Sequence, residues 1–104
     1  MKKDSVYIEQ ICDTISKIRS FVGAMSKEDF FNDQKTQSAI IMQLVLIGEL
    51  AKKISDTTKQ DIDLPWRDIA GFRDRAIHDY YQIDLEIVWN TTSSDLALLE
   101  EKLQ

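Results

Sequence analysis

Between Asp4 and Met25 the apolar residues Val6, Ile8, Ile11, Ile15, Ile18 and Val22 recur mostly at steps of three and four. Such a stripe is the face that an amphipathic α-helix turns toward a core, and Gly23 stands near its end. Ser26, Lys27, Glu28 and Asp29 follow with capping-box spacing, the Ser26 hydroxyl placed to accept a backbone N–H and Asp29 three residues on. A short helix around Lys27 to Phe31, of as little as one turn, is predicted there. A third helix is predicted from about Gln34 to Ser55. Its middle, Ala39 through Ile47, is apolar nearly all round, so it needs cover on more than one side. Two sources of cover are open: the other helices of a monomeric bundle, or a second copy of the chain in a homodimer.

From Asp56 to Leu64 the chain is polar and without period, which reads as a connection. Pro65 suits the first position of a fourth helix, whose apolar positions are Trp66, Ile69, Ala70, Phe72 and Ile77 and whose end is expected near Asp79. Asp84 can cap a fifth helix, with Ile83 and Val88 spaced as a hydrophobic staple. That helix is expected to carry Leu85, Val88, Trp89, Leu96, Leu98, Leu99 and Leu103 toward the core. With no repeat or linker in view, residues 1–104 read as one all-α domain, an antiparallel bundle of four to five helices.

Composition agrees and narrows the function classes. Hydrophobic residues make up 43% of the 104, with three Gly and one Pro, which fits a helical globular domain rather than a disordered one. The lone Cys12 cannot form an internal disulfide, and no apolar run follows Met1-Lys2-Lys3, so a reducing cytoplasm is the expected location. The apolar stretch from Ala39 to Val45 is interrupted by Gln43, and even extended to Leu50 it is shorter than the ~20 residues of a membrane span. The formal net charge of −5 excludes the global basic footprint of a non-specific nucleic-acid binder. Any nucleic-acid chemistry must rest on a local site, and an acidic chain is equally compatible with one that mainly binds another protein.

The local site is the run Arg73-Asp74-Arg75-Ala76-Ile77-His78-Asp79-Tyr80. It holds guanidinium groups, the only imidazole of the chain and a phenol within eight residues. Histidine is the side-chain type suited to proton exchange near neutral pH, and Arg73 or Arg75 can grip a phosphate through forked donors. The pattern permits RNA cleavage without a metal: the substrate 2′-hydroxyl attacks the adjacent phosphorus, His78 moves the proton, and Arg73 stabilises charge on the phosphoryl oxygens. Asp74, four residues before His78, can orient the imidazole. On an ideal helix Arg73 and His78 lie about 140° apart, so either the helix is distorted at its end or the site combines two chains. The plainer readings are a capping or surface histidine, a solvated charged face, and tyrosines in ordinary aromatic contact. No zinc-type ligand spacing and no Gly-rich phosphate loop occur, and Glu49 carries no cofactor signal, so no metal or cofactor is expected.

Arg73, four residues, His78, one residue and Tyr80 fit the pattern R-x4-H-x-Y. Around it stand Pro65-Trp66-Arg67-Asp68-Ile69-Ala70-Gly71-Phe72, Ile83-Asp84-Leu85-Glu86-Ile87-Val88-Trp89 and, upstream, Ile47-Gly48-Glu49-Leu50-Ala51-Lys52. Together these resemble the HEPN-domain proteins of the HepT type, toxins of two-gene HEPN/MNT modules (type VII-like). The resemblance implies a dimerising all-α bundle with a shared cleft and a metal-independent endoribonuclease activity directed at RNA. It implies Arg73 and His78 as the catalytic pair, Asp74 in support, and Tyr80 as the acceptor of AMP from a cognate nucleotidyltransferase antitoxin. The alternative is a non-catalytic HEPN-like module that binds a nucleotidyltransferase.

Overall fold

The computed structural model describes residues 2–104, and every regular element among them is helical. Helix α1 (Lys2–Val22) buries Ile11, Ile15 and Ile18 along the predicted seam, whereas Val6, one turn beyond the core, is exposed. The helix ends at Val22, the last residue of the apolar stripe. Gly23 turns into the left-handed region at φ +52° while its N–H still donates to the Arg19 carbonyl at 2.9 Å, a helix stop that favours glycine. Helix α2 (Lys27–Phe31) has the expected reciprocal cap: the Asp29 N–H donates to Ser26 Oγ and the Ser26 N–H to Asp29 Oδ2, each at 3.1 Å. Phe30, fully buried, pins this short helix to the core.

Helix α3 (Gln34–Lys53) is capped by Asp33, which accepts from the Thr36 N–H at 3.0 Å. It is packed between α1 and α5 and buries Ile40, Ile41, Leu44, Ile47, Leu50 and Ala51. Cover is incomplete, however: Met42 is 61% exposed and Leu46 41%.

The stretch read as a connection is partly helical. Ser55, expected at the end of α3, instead caps a separate helix α4 (Asp56–Asp61). Its anchor lies 51 residues upstream: Asp4 accepts from the Ser55 N–H at 3.0 Å, the Ser55 hydroxyl at 2.5 Å and the Thr58 hydroxyl at 2.6 Å. Because α4 buries no side chain of its own, it leaves no apolar period to read, and a tertiary carboxylate plus a cap hold it. Those three donors pull the buried Asp4 carboxyl down to about 2 from an ordinary 3.8. A carboxylate with a depressed folded-state pKa contributes stability above its unfolded pKa and loses it as pH falls through the folded value. Asp4→Ala is therefore expected to lower Tm at pH 7 and to flatten the fall of Tm between about pH 4 and about pH 2. Parallel thermal melts that fall identically over that window in both proteins would contradict this.

Trp66 closes the next turn, its indole N–H shared between the carbonyls of Lys59 (3.2 Å) and Ile62 (3.0 Å). Pro65 is the N-cap of helix α5 (Trp66–His78), one residue before the predicted position, and Asp79 leaves helical geometry at φ −149°, ψ 54°. A 3-10 turn, Tyr80–Gln82, leads to Asp84, which caps helix α6 (Leu85–Asn90) by accepting from the Glu86 N–H at 2.9 Å. Val88 is buried, and Ile83 packs against the same core as expected of a staple.

The predicted fifth helix is one rod interrupted by a π-helical turn, Thr91–Asp95, before helix α7 (Leu96–Leu103). Leu96, Leu99 and Leu103 point inward, but Leu98 is 51% exposed, contrary to the expectation that it joins the core. Adjacent residues on a helix are about 100° apart, so Leu98 and Leu99 cannot both face one core. Leu98 and Ile87 instead edge an open apolar cavity of about 460 Å³ between α3, α5 and the α6–α7 rod. None of the helices is long and apolar enough among the described residues to cross a membrane.

Candidate active site

The site begins with a glycine. At Gly48 helices α3 and α5 come so close that a Cβ there would lie 2.5 Å from Arg73 Cβ and 2.9 Å from the Ile69 carbonyl oxygen. Arg73 thus rests directly on the α3 backbone, its side chain only 25% exposed. The helices run antiparallel, since Gly48 faces Arg73 while Ser38, ten residues earlier, faces Tyr80.

From that seat the guanidinium meets two carboxylates. Its Nε stands 3.0 Å from Glu49 Oε1, and its Nη1 donates to Asp74 Oδ1 at 3.0 Å. Asp74 Oδ1 also accepts from Lys52 Nζ at 2.6 Å. The result is a chain of alternating charge, Glu49, Arg73, Asp74, Lys52, laid across the α3–α5 seam. The Lys52 ammonium first, and the Arg73 guanidinium second, hold the Asp74 carboxyl below the usual carboxylate range, so it is ionised at neutral pH. Among the described residues the Nη2 end of Arg73 makes no hydrogen bond, which leaves donors for a phosphate.

His78 is the last residue of α5 and is exposed. No hydrogen bond joins it to Asp74 among the described residues; the carboxylate expected to orient the imidazole is engaged by Lys52 and Arg73 instead. The helix is regular through His78, and departure from helical geometry starts only at Asp79. Within one chain, therefore, Arg73 and His78 keep the ~140° separation of a straight helix. Tyr80 lies on the 3-10 turn, 45% exposed, its hydroxyl 3.5 Å from Ser38 Oγ, and its ring meets Tyr81 edge-on at 5.8 Å. Tyr81 is almost entirely exposed. Arg75, the other candidate phosphate ligand, lies back over Gly71 and lines the apolar cavity on the opposite side of α5, so it is not part of this cluster.

Exposed apolar residues stand on both helices of the seam. Met42 and Leu46 on α3 and Ile77 on α5 are all exposed; by helical spacing Met42 and Leu46 share the face of α3 that carries Ser38 and Glu49, and Ile77 the face of α5 that carries Arg73.

Sequence reasoning missed the α3 half of the site: Gly48, Glu49, Lys52 and Ser38. A signal was present. Glu49 and Lys52, three residues apart, share a face of α3 just past its apolar middle, and charges beside a packing seam call for partners across it. What the spacing does not tell is that the partners are Arg73 and Asp74.

Comparison with known proteins bears on what this cluster is for. Residues 11–104 match the family model described as ribonuclease HepT-like. A protein of Thermococcus cleftensis named "probable ribonuclease HepT" is 37% identical over 94% of this chain and 90% of its own length. A protein of Methanocaldococcus jannaschii named as a candidate RNase is 34% identical, covering 96% of this chain and 88% of its own. Another so named, from Caldanaerobacter subterraneus subsp. tengcongensis, is 30% identical over all of this chain and 94% of its own. No solved structure matches. With nearly the whole chain covered, and with Arg73, His78 and Tyr80 in the matched stretch, the chain belongs to the HepT-like ribonuclease family.

Proposed function

We propose that residues 1–104 form one HEPN-like domain that acts in the cytoplasm as the toxin of a HEPN/MNT toxin–antitoxin module, cutting RNA without a metal at a site built by two chains. The observation that carries this reading is the division of α5: Arg73 is held in the α3–α5 seam while His78 stands exposed about 140° around the same regular helix. A two-fold pairing through the exposed strip of Met42, Leu46 and Ile77 would bury apolar surface and bring the Arg73 of one copy toward the His78 of the other. In that site the 2′-hydroxyl of the substrate attacks the neighbouring phosphorus, and the 5′-oxygen of the next nucleotide leaves as a cyclic phosphate forms. One imidazole removes the proton from the nucleophile, and an imidazolium or water returns one to the leaving oxygen. Arg73 stabilises the pentacoordinate phosphorane. The substrate supplies its own nucleophile and Arg73 supplies the positive charge, so the chemistry needs no ion. Asp74 supports the site by fixing Arg73 and Lys52.

Tyr80 is the proposed control point. Its phenol is exposed near the exit of α5, two residues past His78. AMP transferred there from ATP, with pyrophosphate leaving, would add bulk and a phosphodiester charge that repels RNA phosphates. Incubation with the nucleotidyltransferase partner, ATP and magnesium is expected to add the mass of AMP to the peptide holding Tyr80. Equal addition to Tyr80→Phe would move the acceptor elsewhere, Tyr81 being the exposed neighbour.

A second reading, a non-catalytic module that binds a nucleotidyltransferase, is favoured by the net charge of −5 and by the neutralisation of Arg73 and Lys52 by Glu49 and Asp74. The two part in cells. If expression arrests growth and Arg73→Ala relieves the arrest while Lys17→Ala does not, cleavage stands; if Arg73→Ala arrests growth as wild type does, the binding reading stands.

A further inference from the structure

The Arg73 Nε and Glu49 Oε1 atoms are both fully buried and 3.0 Å apart, yet the N–H does not point along the line that a hydrogen bond requires. Neither atom has another hydrogen-bond partner. What holds this end of the guanidinium is therefore charge: the two facing atoms are shielded from water, while the Glu49 side chain as a whole is 42% exposed and that of Arg73 25%, so the ion pair is partly screened. The Nη1 end is held differently, by an aligned hydrogen bond to Asp74, and Asp74 is itself fixed by Lys52. Loss of the Glu49 charge would leave Arg73 tethered at one end and free to swing about it.

We propose that Glu49 is a positioning residue: its charge aims the Arg73 guanidinium so that Nη2 faces the phosphate. The idea rests on the ribonuclease reading above. It also accounts for Gly48, since only a residue without Cβ lets α5 lie close enough for the Arg73 side chain to run along α3 to the next residue, Glu49. The negative charge works against ground-state binding of RNA, because it lies next to the group that grips a phosphate. Such an arrangement trades substrate affinity for orientation in the transition state.

This trade gives a signature that a merely structural role would not. In Glu49→Gln, which keeps size and loses charge, kcat should fall about 10-fold or more, as expected when a transition-state contact is misaligned. KM for RNA should not rise, because a repulsive charge has gone. Glu49→Asp, which restores the charge on a shorter stem, should recover part of kcat. Wild-type kcat in Glu49→Gln, or equal losses in the Gln and Asp variants, would overturn the proposal. His78→Ala serves as the control: if it cuts RNA as wild type does, the ribonuclease reading fails separately. Glu49 is then still judged by the Nε–H resonance of Arg73 in NMR spectra. That proton should be protected from exchange in the wild type and exchange like an exposed arginine in Glu49→Gln; equal protection in both would overturn the proposal.

Discussion

His78→Ala should lose RNA cleavage by about 10²–10⁴-fold in buffer containing EDTA, the range that a positioned general acid or base contributes. It should do so with little change in Tm. His78 is exposed at the C-terminus of α5 and its side chain makes no hydrogen bond among the described residues, so its loss should cost little packing. A separation of activity from stability distinguishes a proton-transfer role from that of a helix-end residue, whose removal would move Tm by a small amount and leave cleavage intact. Arg73→Lys should fail nearly as badly as Arg73→Ala. An ammonium has no Nε to face Glu49 while another donor meets Asp74, and it lacks the fork that grips a phosphate. Wild-type rates in His78→Ala, measured on the same RNA under single-turnover conditions, would contradict the assignment.

The second large effect is expected far from any reacting atom. In an ordinary helix interior, glycine to alanine stabilises by up to about 1 kcal/mol. At Gly48 the sign reverses, because the new methyl would sit 2.5 Å from Arg73 Cβ and 2.9 Å from the Ile69 carbonyl, positions fixed by the backbone of α5. Helix α5 has to move away, at a cost of about 1–3 kcal/mol for forced overpacking, or a Tm lower by at least roughly 4 °C in a domain of this size. Cleavage should fall at temperatures where the variant is still folded, since the same shift carries Arg73 off Glu49. Gly71→Ala is the matched control. Its Cβ would meet only the mobile end of Arg75, at 3.3 Å, so it should be neutral or mildly stabilising. If Gly48→Ala melts no lower than Gly71→Ala, the close approach at Gly48 does not set the position of α5.

These two positions also divide what can be read from the chain. His78 and its motif are legible because they are contiguous, as are the Ser26–Asp29 capping box, the Asp84 cap and the Ile11–Ile15–Ile18 seam, all set by neighbours within one or two turns. The features that sequence conceals are those decided by distant partners. Helix α4 depends on Asp4, 51 residues away from Ser55. The inward turn of Leu99 at the expense of Leu98 depends on the phase after the π turn at Thr91–Asp95. The Glu49 and Lys52 contribution depends on which face α3 offers to α5, and one apolar helix covered from two sides does not declare that from composition. Asp74 illustrates the same limit: four residues before His78 it has the right spacing to orient the imidazole, yet a lysine from the neighbouring helix claims its oxygen.

Two chains contributing to one site is the central claim, and mixing inactive variants tests it. In a two-fold dimer of Arg73→Ala with His78→Ala, one of the two composite sites carries both lesions and the other carries neither. Random assortment after co-refolding should then restore roughly a quarter of wild-type cleavage from two inactive parents. If both residues act within a single chain, no intact site can form in any combination. The measurement is therefore the cleavage rate of the co-refolded mixture, with the mixed dimer confirmed by native mass spectrometry: recovery toward a quarter supports the shared site, and a mixed dimer as inactive as its parents contradicts it.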